Sequence, residues 1–133
     1  MIFDRKAFRD HPADWFDREY WQTCDGWWMI VDQRKIGCCA FEYRRGYLYI
    51  STTGILPEFR GLGFGTLLKS WQICFARDHG FTRIVTNTRK SNRAMIRLNR
   101  KFGFKTVRVV PSYYDSPKEP TVVMELRLPS RRG

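Results

Sequence analysis

The feature that most constrains the fold is a glycine-rich segment at 56–65, which reads LPEFRGLGFG. It follows a run of strand-like composition at 47–55 and precedes a helical pattern at 66–78. Glycines at such a junction let the backbone approach a ligand without Cβ clashes, and the unpaired N–H groups of the first helical turn attract anions. Arg60 adds a positive charge beside them. The segment therefore predicts a phosphate site between a strand and a helix.

Apolar periodicity on both sides of this segment predicts an α/β fold with a mixed sheet. Before it, two short helices within 4–22 precede a three-stranded meander, in which Arg45-Gly46 makes a hairpin turn. The expected strands and helices from there on are Trp27–Val31, Lys35–Tyr43, Tyr47–Ile55, Thr66–Asp78, Phe81–Asn87, Asn92–Phe102, Phe104–Val110 and Thr121–Leu128, with a loop holding Tyr113, Tyr114 and Asp115 between the last two strands. A meander followed by alternating strands and helices is typical of one α/β domain, here 1–133.

Both later helices are expected to be amphipathic. The first has apolar residues at helical spacing, and the second has apolar residues on one face and arginines on the other. The inward residues are predicted to be Leu67, Leu68, Trp71, Cys74 and Phe75 in the first helix and Met95, Leu98 and Phe102 in the second, where Arg93, Arg97 and Arg100 face outward.

Two motifs together resemble those of a known family. The glycine spacing fits neither the dinucleotide fingerprint nor a Walker loop, but it fits R-x-x-G-x-G at Arg60, Gly63 and Gly65. The stretch 55–68 is similar to the acyl-CoA pyrophosphate loop of the GNAT superfamily of acyl-CoA-dependent N-acetyltransferases. A second stretch, 92–104, resembles that family's downstream N-x-x-x-I-x-L-Y-x-K-x-G-F signature.

The resemblance implies a GNAT-like three-layer α/β/α fold, with a mostly antiparallel mixed sheet whose splayed central strands form the acyl-CoA cleft. The first strand of such a fold is short or missing here, because only Met1-Ile2-Phe3 precedes the early helices. The implied activity is transfer of an acetyl group from the co-substrate acetyl-CoA to an amine, by direct attack in a ternary complex. The implied cofactor-binding residues are Ile55, Leu56, Arg60, Gly61, Leu62, Gly63, Phe64, Gly65, Thr66 and Asn92.

The catalytic groups are less well marked. Where the family commonly has a tyrosine that gives a proton to the leaving thiolate, this chain has Asn99, whose amide can only hydrogen-bond it. Tyr113 or Tyr114 is the alternative proton donor, and the thiolate can also leave unassisted, since thiols are fairly acidic. Glu42 is the candidate base, acting through water, with an exposed structural carboxylate as the alternative. A catalytically silent acyl-CoA-binding relative therefore stays open.

The net charge of +11 is concentrated in one part of the chain. Residues 79–114 contain nine Lys and Arg and no Asp or Glu. Part of this excess is expected to serve the phosphates of CoA. Nine cations exceed what one cofactor requires, and a nucleic-acid or ribosome-associated binding module using the 83–108 segment is the competing interpretation.

Composition limits the remaining possibilities. The 133 residues are 43% hydrophobic and contain no apolar run long enough to cross a bilayer or serve as a signal peptide. The four cysteines, at 24, 38, 39 and 74, form no metal-ligand or disulfide pattern with one another or with His11 and His79. We therefore expect a cytoplasmic monomer or homodimer with buried free thiols, no metal and no membrane contact.

Overall fold

The structure is a computed structural model that describes residues 2–5, 25–115 and 118–129. The two helices expected within 4–22 lie almost entirely outside the described residues, as do the aromatic residues Trp15, Tyr20 and Trp21. Asp4 and Arg5, which the sequence assigned to the first of these helices, belong instead to a strand.

Seven strands form one mixed sheet in the order β1-β2-β3-β4-β5-β7-β6, as expected for an α/β fold. The elements in chain order are β1 (Ile2–Arg5), β2 (Asp25–Val31), β3 (Arg34–Arg44), β4 (Tyr47–Ile55), a short 3-10 helix (Pro57–Phe59), α1 (Phe64–Asp78), β5 (Arg83–Arg89), α2 (Arg93–Lys101), β6 (Lys105–Asp115) and β7 (Lys118–Arg127). The predicted meander and its hairpin turn at Arg45-Gly46 are confirmed. Among the described residues, no helix is long and apolar enough to cross a membrane.

The first of two compact units comprises residues 1–43 and 50–68. In it β1 pairs antiparallel with β2, and β2 pairs antiparallel with β3 through an irregularity at Met29/Ile30. Every residue from Ile36 to Phe41 is buried, which is typical of a strand covered on both faces. Cys38 and Cys39 lie buried in this run and form no disulfide, whereas Cys74, expected to be buried, is exposed.

The second unit comprises residues 44–49 and 69–133. Its centre is β7, which pairs antiparallel with β5 on one side and with β6 on the other. Residues 121–124 of β7 are all buried. The predicted loop around Tyr113 and Tyr114 is wrong, because β6 continues to Asp115 and pairs there with Lys118.

The helices differ from expectation in where they begin and which side chains they bury. Helix α1 starts at Phe64, two residues before the predicted start. Leu67, predicted to face inward, is 44% exposed, whereas Lys69 and Gln72 are buried. The Lys69 ammonium lies 5.3 Å from the centre of the Phe104 ring, so an aromatic face accommodates its charge. In α2 the arginines are exposed as predicted, and the one residue fully buried is Asn99.

Candidate functional site

A tight turn carries the chain out of β4 toward helix α1. Pro57 starts the 3-10 helix, where its fixed φ suits the first position and its missing N–H is no loss. The Phe59 N–H donates to the Leu56 carbonyl at 2.9 Å, and the Arg60 N–H donates to the Pro57 carbonyl at 3.2 Å. These bonds fix the path of the backbone ahead of the glycines.

Two of the glycines are required by backbone conformation. Gly61 has a φ of 77° and Gly63 a φ of 88°, in the region that side chains with a Cβ rarely adopt. A Cβ built on either residue would meet no atom within 4 Å. Open space therefore borders this loop, and only backbone strain selects glycine there. We call residues 60–66 the glycine loop.

The start of α1 presents backbone donors. The Leu67 N–H is bonded to the Gly63 carbonyl at 3.3 Å, which makes Gly63 the residue that caps the helix. The amides of Phe64, Gly65 and Thr66 precede this first intrahelical bond, so they belong to the turn whose donors have no partner within the helix. The first turn contains no acidic residue. Its partial positive charge is therefore available to an anion.

Arg60 ties the glycine loop to the end of β4. Its Nε donates to the Ile55 carbonyl at 3.0 Å, and the side chain is exposed. The guanidinium makes no ion pair with a described residue, so its remaining N–H groups can reach an anion. Next to it, the Leu56 N–H donates to the Ile36 carbonyl of β3 at 2.8 Å. The end of β4 is thus held by both a neighbouring strand and the loop that follows it.

Asn92 occupies the N-cap of α2. Its side-chain oxygen accepts a hydrogen bond from the Met95 N–H at 3.2 Å, and β5 ends three residues earlier, at Arg89. The amide nitrogen of a capping asparagine still has two protons to donate.

A carboxylate that the sequence analysis missed orders the turn before Asn92. Glu119 of β7 accepts hydrogen bonds from the Ser91 N–H at 3.1 Å and the Ser91 hydroxyl at 2.9 Å, and it pairs with Arg89 at 3.3 Å. The backbone and side-chain hydrogen bonds from Ser91, helped by Arg89, lower the pKa of Glu119 below its ordinary 4.5. No sequence pattern marked this contact, because it depends on the pairing of β7 with β5.

Asn99 is fully buried, and its side chain is only partly satisfied. Its Nδ2 lies 3.6 Å from the Met124 sulfur, a weak acceptor, and its Oδ1 has no hydrogen-bond partner among the described residues. Burying an amide oxygen without a partner is unfavourable by about 1–3 kcal/mol. The group is therefore available to accept a hydrogen bond from a hydroxyl, thiol or amine.

Comparison with known proteins assigns the family. A model of the acetyltransferase (GNAT) family matches residues 2–104. The chain belongs to this GNAT family. The family resemblance and the fold predicted from the glycine loop and the 92–104 motif are both confirmed.

Individual GNAT relatives match over part or all of the chain. N-alpha-acetyltransferase 50 of Danio rerio is 33% identical over 81 residues, covering 58% of this chain and 48% of that protein. The chain spans about half the length of three curated relatives it matches, at 44%, 48% and 49%.

Solved GNAT structures share the fold. The ribosomal-protein-S18-alanine N-acetyltransferase of Escherichia coli superimposes with a TM-score of 0.85 at 15% identity, covering 96% of this chain and 93% of that one. A GNAT acetyltransferase from Elizabethkingia anophelis, solved with acetyl-CoA bound, gives a TM-score of 0.76 at 16% identity, covering 83% of this chain and 80% of that one.

The other residues predicted for the GNAT site lie on separate elements. Glu42 is half-buried near the end of β3. Tyr113 lies in β6, and its side chain is outside the described part of the structure. Ile55, Leu56 and the glycine loop all belong to the first compact unit, whereas Asn92 and Asn99 belong to the second. The described residues contain no cluster of His, Cys, Asp or Glu that could hold a metal ion.

Proposed function

We propose that this protein is an N-acetyltransferase that moves the acetyl group of acetyl-CoA to an amine. The observation that carries the proposal is the glycine loop: two glycines at positive φ lead into a helix whose first turn has three amides and no acid. Such a turn favours a pyrophosphate, because several N–H dipoles point at one anion. The GNAT structure with bound acetyl-CoA supports acetyl-CoA as the ligand that carries this pyrophosphate.

The cofactor contacts follow from the sequence motif and the geometry. The backbone of Gly61, Leu62, Gly63, Phe64, Gly65 and Thr66 would hold the pyrophosphate, together with the Arg60 guanidinium. The Oδ1 of Asn92 caps α2, and its Nδ2 would donate a hydrogen bond to the cofactor arm. Of the two amides at the end of β4, the Leu56 N–H is already bonded to Ile36, so we assign polarisation of the thioester carbonyl to the Ile55 N–H.

The chemistry is a direct transfer in a ternary complex. A neutral amine attacks the thioester carbonyl, the C–N bond forms, and the oxyanion intermediate collapses with loss of the CoA thiolate. Glu42 would take the proton from the attacking amine through a water molecule. The thiolate would be protonated by Tyr113 or by solvent, because the amide of Asn99 cannot give it a proton and is fully buried with its Nδ2 at the Met124 sulfur.

For the acceptor, we propose the α-amino group of a polypeptide. The support comes from relatives named for this reaction, N-alpha-acetyltransferase 50 of Danio rerio and the ribosomal-protein-S18-alanine N-acetyltransferase of Escherichia coli. Within this proposal the protein acts in the cytoplasm, as a monomer or homodimer.

The binding half of the proposal is tested by calorimetry with acetyl-CoA. We expect micromolar binding to the wild type and loss of detectable binding in Arg60→Glu, because the new carboxylate faces the pyrophosphate. Arg77→Glu, an exposed charge reversal at the other end of α1, is the matched control and should bind normally. Absence of binding by the wild type would refute the proposal.

The catalytic half is tested by free-thiol release with a panel of peptides and small amines. We expect turnover with peptides that have a free N-terminus and none with the same peptides after N-terminal blocking.

A second candidate function, silent binding of acyl-CoA, is favoured by one observation: the fully buried amide of Asn99 stands where the family commonly has a proton donor. Binding of acetyl-CoA without turnover on any amine would support this function instead.

A further inference from the structure

A basic groove lies beside helix α2 in the second compact unit. Its volume is about 480 Å³, and its lining residues are Lys90, Arg93, Ile96, Arg97, Arg100, Thr106, Val109 and Val122. The four cationic residues are all exposed, and three of them follow one face of α2 at positions i, i+4 and i+7. We call this the basic groove.

Within the described residues, no carboxylate balances these charges. The described lining of the groove contains no acidic residue, and none of its four cations forms an ion pair with a side chain that the structure describes. The two acidic residues of β7 are engaged elsewhere: Glu119 with Arg89 and Ser91, and Glu125 with Arg83 and Arg127 at 3.2 Å each. Four like charges held together without counterions favour an anionic ligand.

The floor of the basic groove is aliphatic. Ile96 is half-buried, Val122 is buried, and Val109 is 48% exposed although it belongs to a strand. No aromatic ring of the described residues lines the groove. Single-stranded nucleic acids are held largely by stacking on aromatic side chains, so these walls suit aliphatic side chains better than bases.

The groove also borders an open sheet edge. Strand β6 is the last in the strand order, and among the described residues it pairs only with β7. An extended peptide can add to such an edge through backbone hydrogen bonds. Alternate side chains of a strand are about 6.6–6.8 Å apart, and Arg93 and Arg97 are separated by about 6 Å along the axis of α2. The two spacings match well enough for alternate acidic residues to meet successive arginines.

We propose that the basic groove binds an extended acidic segment of a partner protein, in which acidic side chains alternate with aliphatic ones. The acidic side chains pair with Arg93, Arg97 and Lys90, and the aliphatic ones, on the opposite face of the segment, pack against Val109 of β6. This inference does not rest on the acetyl-transfer proposal, because no residue of the groove lining is among those assigned to acetyl-CoA.

The test is fluorescence anisotropy with a labelled peptide in which glutamate alternates with valine over about nine residues. The comparison ligands are its glutamine analogue and a single-stranded RNA of about 12 nucleotides. The variant Arg93→Glu/Arg97→Glu is compared with Lys101→Glu/Lys105→Glu, which changes the net charge equally at exposed residues outside the groove lining.

We expect the wild type and the Lys101/Lys105 variant to bind the glutamate peptide alike, and the Arg93/Arg97 variant to bind it about 25-fold more weakly. Two exposed ion pairs, each worth up to about fivefold in affinity, give this factor before the new repulsion is added. The glutamine analogue should bind as weakly as the glutamate peptide binds the Arg93/Arg97 variant.

Three results would overturn the proposal. Equal peptide binding by both variants would show a diffuse charge effect. Tighter binding of RNA than of the peptide at about 0.15 M salt would assign the groove to nucleic acid. The third result is loss of acetyl-CoA affinity in the Arg93/Arg97 variant when the wild type does not bind the peptide, which would assign these cations to the cofactor phosphates. Failure of acetyl-CoA to bind any form of the protein would count only against the acetyl-transfer proposal.

Discussion

Gly63 offers a direct test of whether the conformation of the glycine loop matters for cofactor binding. Its φ of 88° is strained for any residue with a Cβ, but a Cβ there would meet nothing within 4 Å. Gly63→Ala therefore adds no clash, and its effect is the backbone strain of about 1–2 kcal/mol. If the loop keeps its shape, the strain lowers the free energy of unfolding. If the loop relaxes, the amides of the first turn of α1 are displaced and acetyl-CoA affinity falls by about 5- to 30-fold.

Gly46 provides a matched control in the β3–β4 hairpin turn. It has a φ of 89° and equally empty surroundings, so Gly46→Ala imposes the same backbone strain away from the glycine loop. We expect both variants to be destabilised in thermal melts, and only Gly63→Ala to lose affinity in acetyl-CoA calorimetry. Wild-type acetyl-CoA affinity in Gly63→Ala together with an unchanged thermal midpoint would refute the argument that the loop conformation organises the site, because the strain would then appear in neither measurement.

Three further predictions concern stability. Gly37→Ala should lower the free energy of unfolding by about 1–3 kcal/mol in urea titrations, because a Cβ at Gly37 would lie 2.7 Å from the Gly54 carbonyl oxygen. Asn99→Leu should raise the thermal midpoint, since it removes a buried oxygen without a partner; a lower midpoint would indicate that this oxygen is satisfied in solution. Glu119 has a lowered pKa in the folded state, so its stabilising contribution is present above the unfolded-state pKa of about 4.5 and is lost as the pH falls through the folded-state value. In urea titrations between about pH 6 and pH 3, the free energy of unfolding should fall more steeply for the wild type than for Glu119→Gln.

Much of the fold follows from local sequence signals. Alternating and continuous apolar runs located β3 and β4, and Gly46 marked the turn between them. Helix α1 starts two residues earlier than predicted because Gly63 is the last residue of the glycine loop with a positive φ. Phe64 and Gly65, although glycine is an intrinsically poor helix former, therefore already belong to the first turn. Only the backbone conformation reveals this boundary.

Packing partners account for what sequence periodicity misplaced. A helical pattern identified an inward face for α1 but could not foresee that Lys69 would be buried against Phe104 while Leu67 is exposed. The same limit applies to the catalytic side of the site. The glycine loop is contiguous and could be predicted with its residues, whereas Glu42, Asn99 and Tyr113 come from three elements, and no local signal fixes which of them meet.

The three arginines of α2 have a consequence for the evolution of this helix. Arg93 stands in the first turn, where a cation opposes the helix dipole by about 0.3–1 kcal/mol, and its neighbours four and seven residues on carry the same charge. Glutamate at position 93 would make a more stable helix, whereas the cation of Arg100 in the last turn suits the dipole. Selection for thermal stability alone would therefore remove Arg93, and its retention among relatives would measure how strongly a function outweighs stability at this surface.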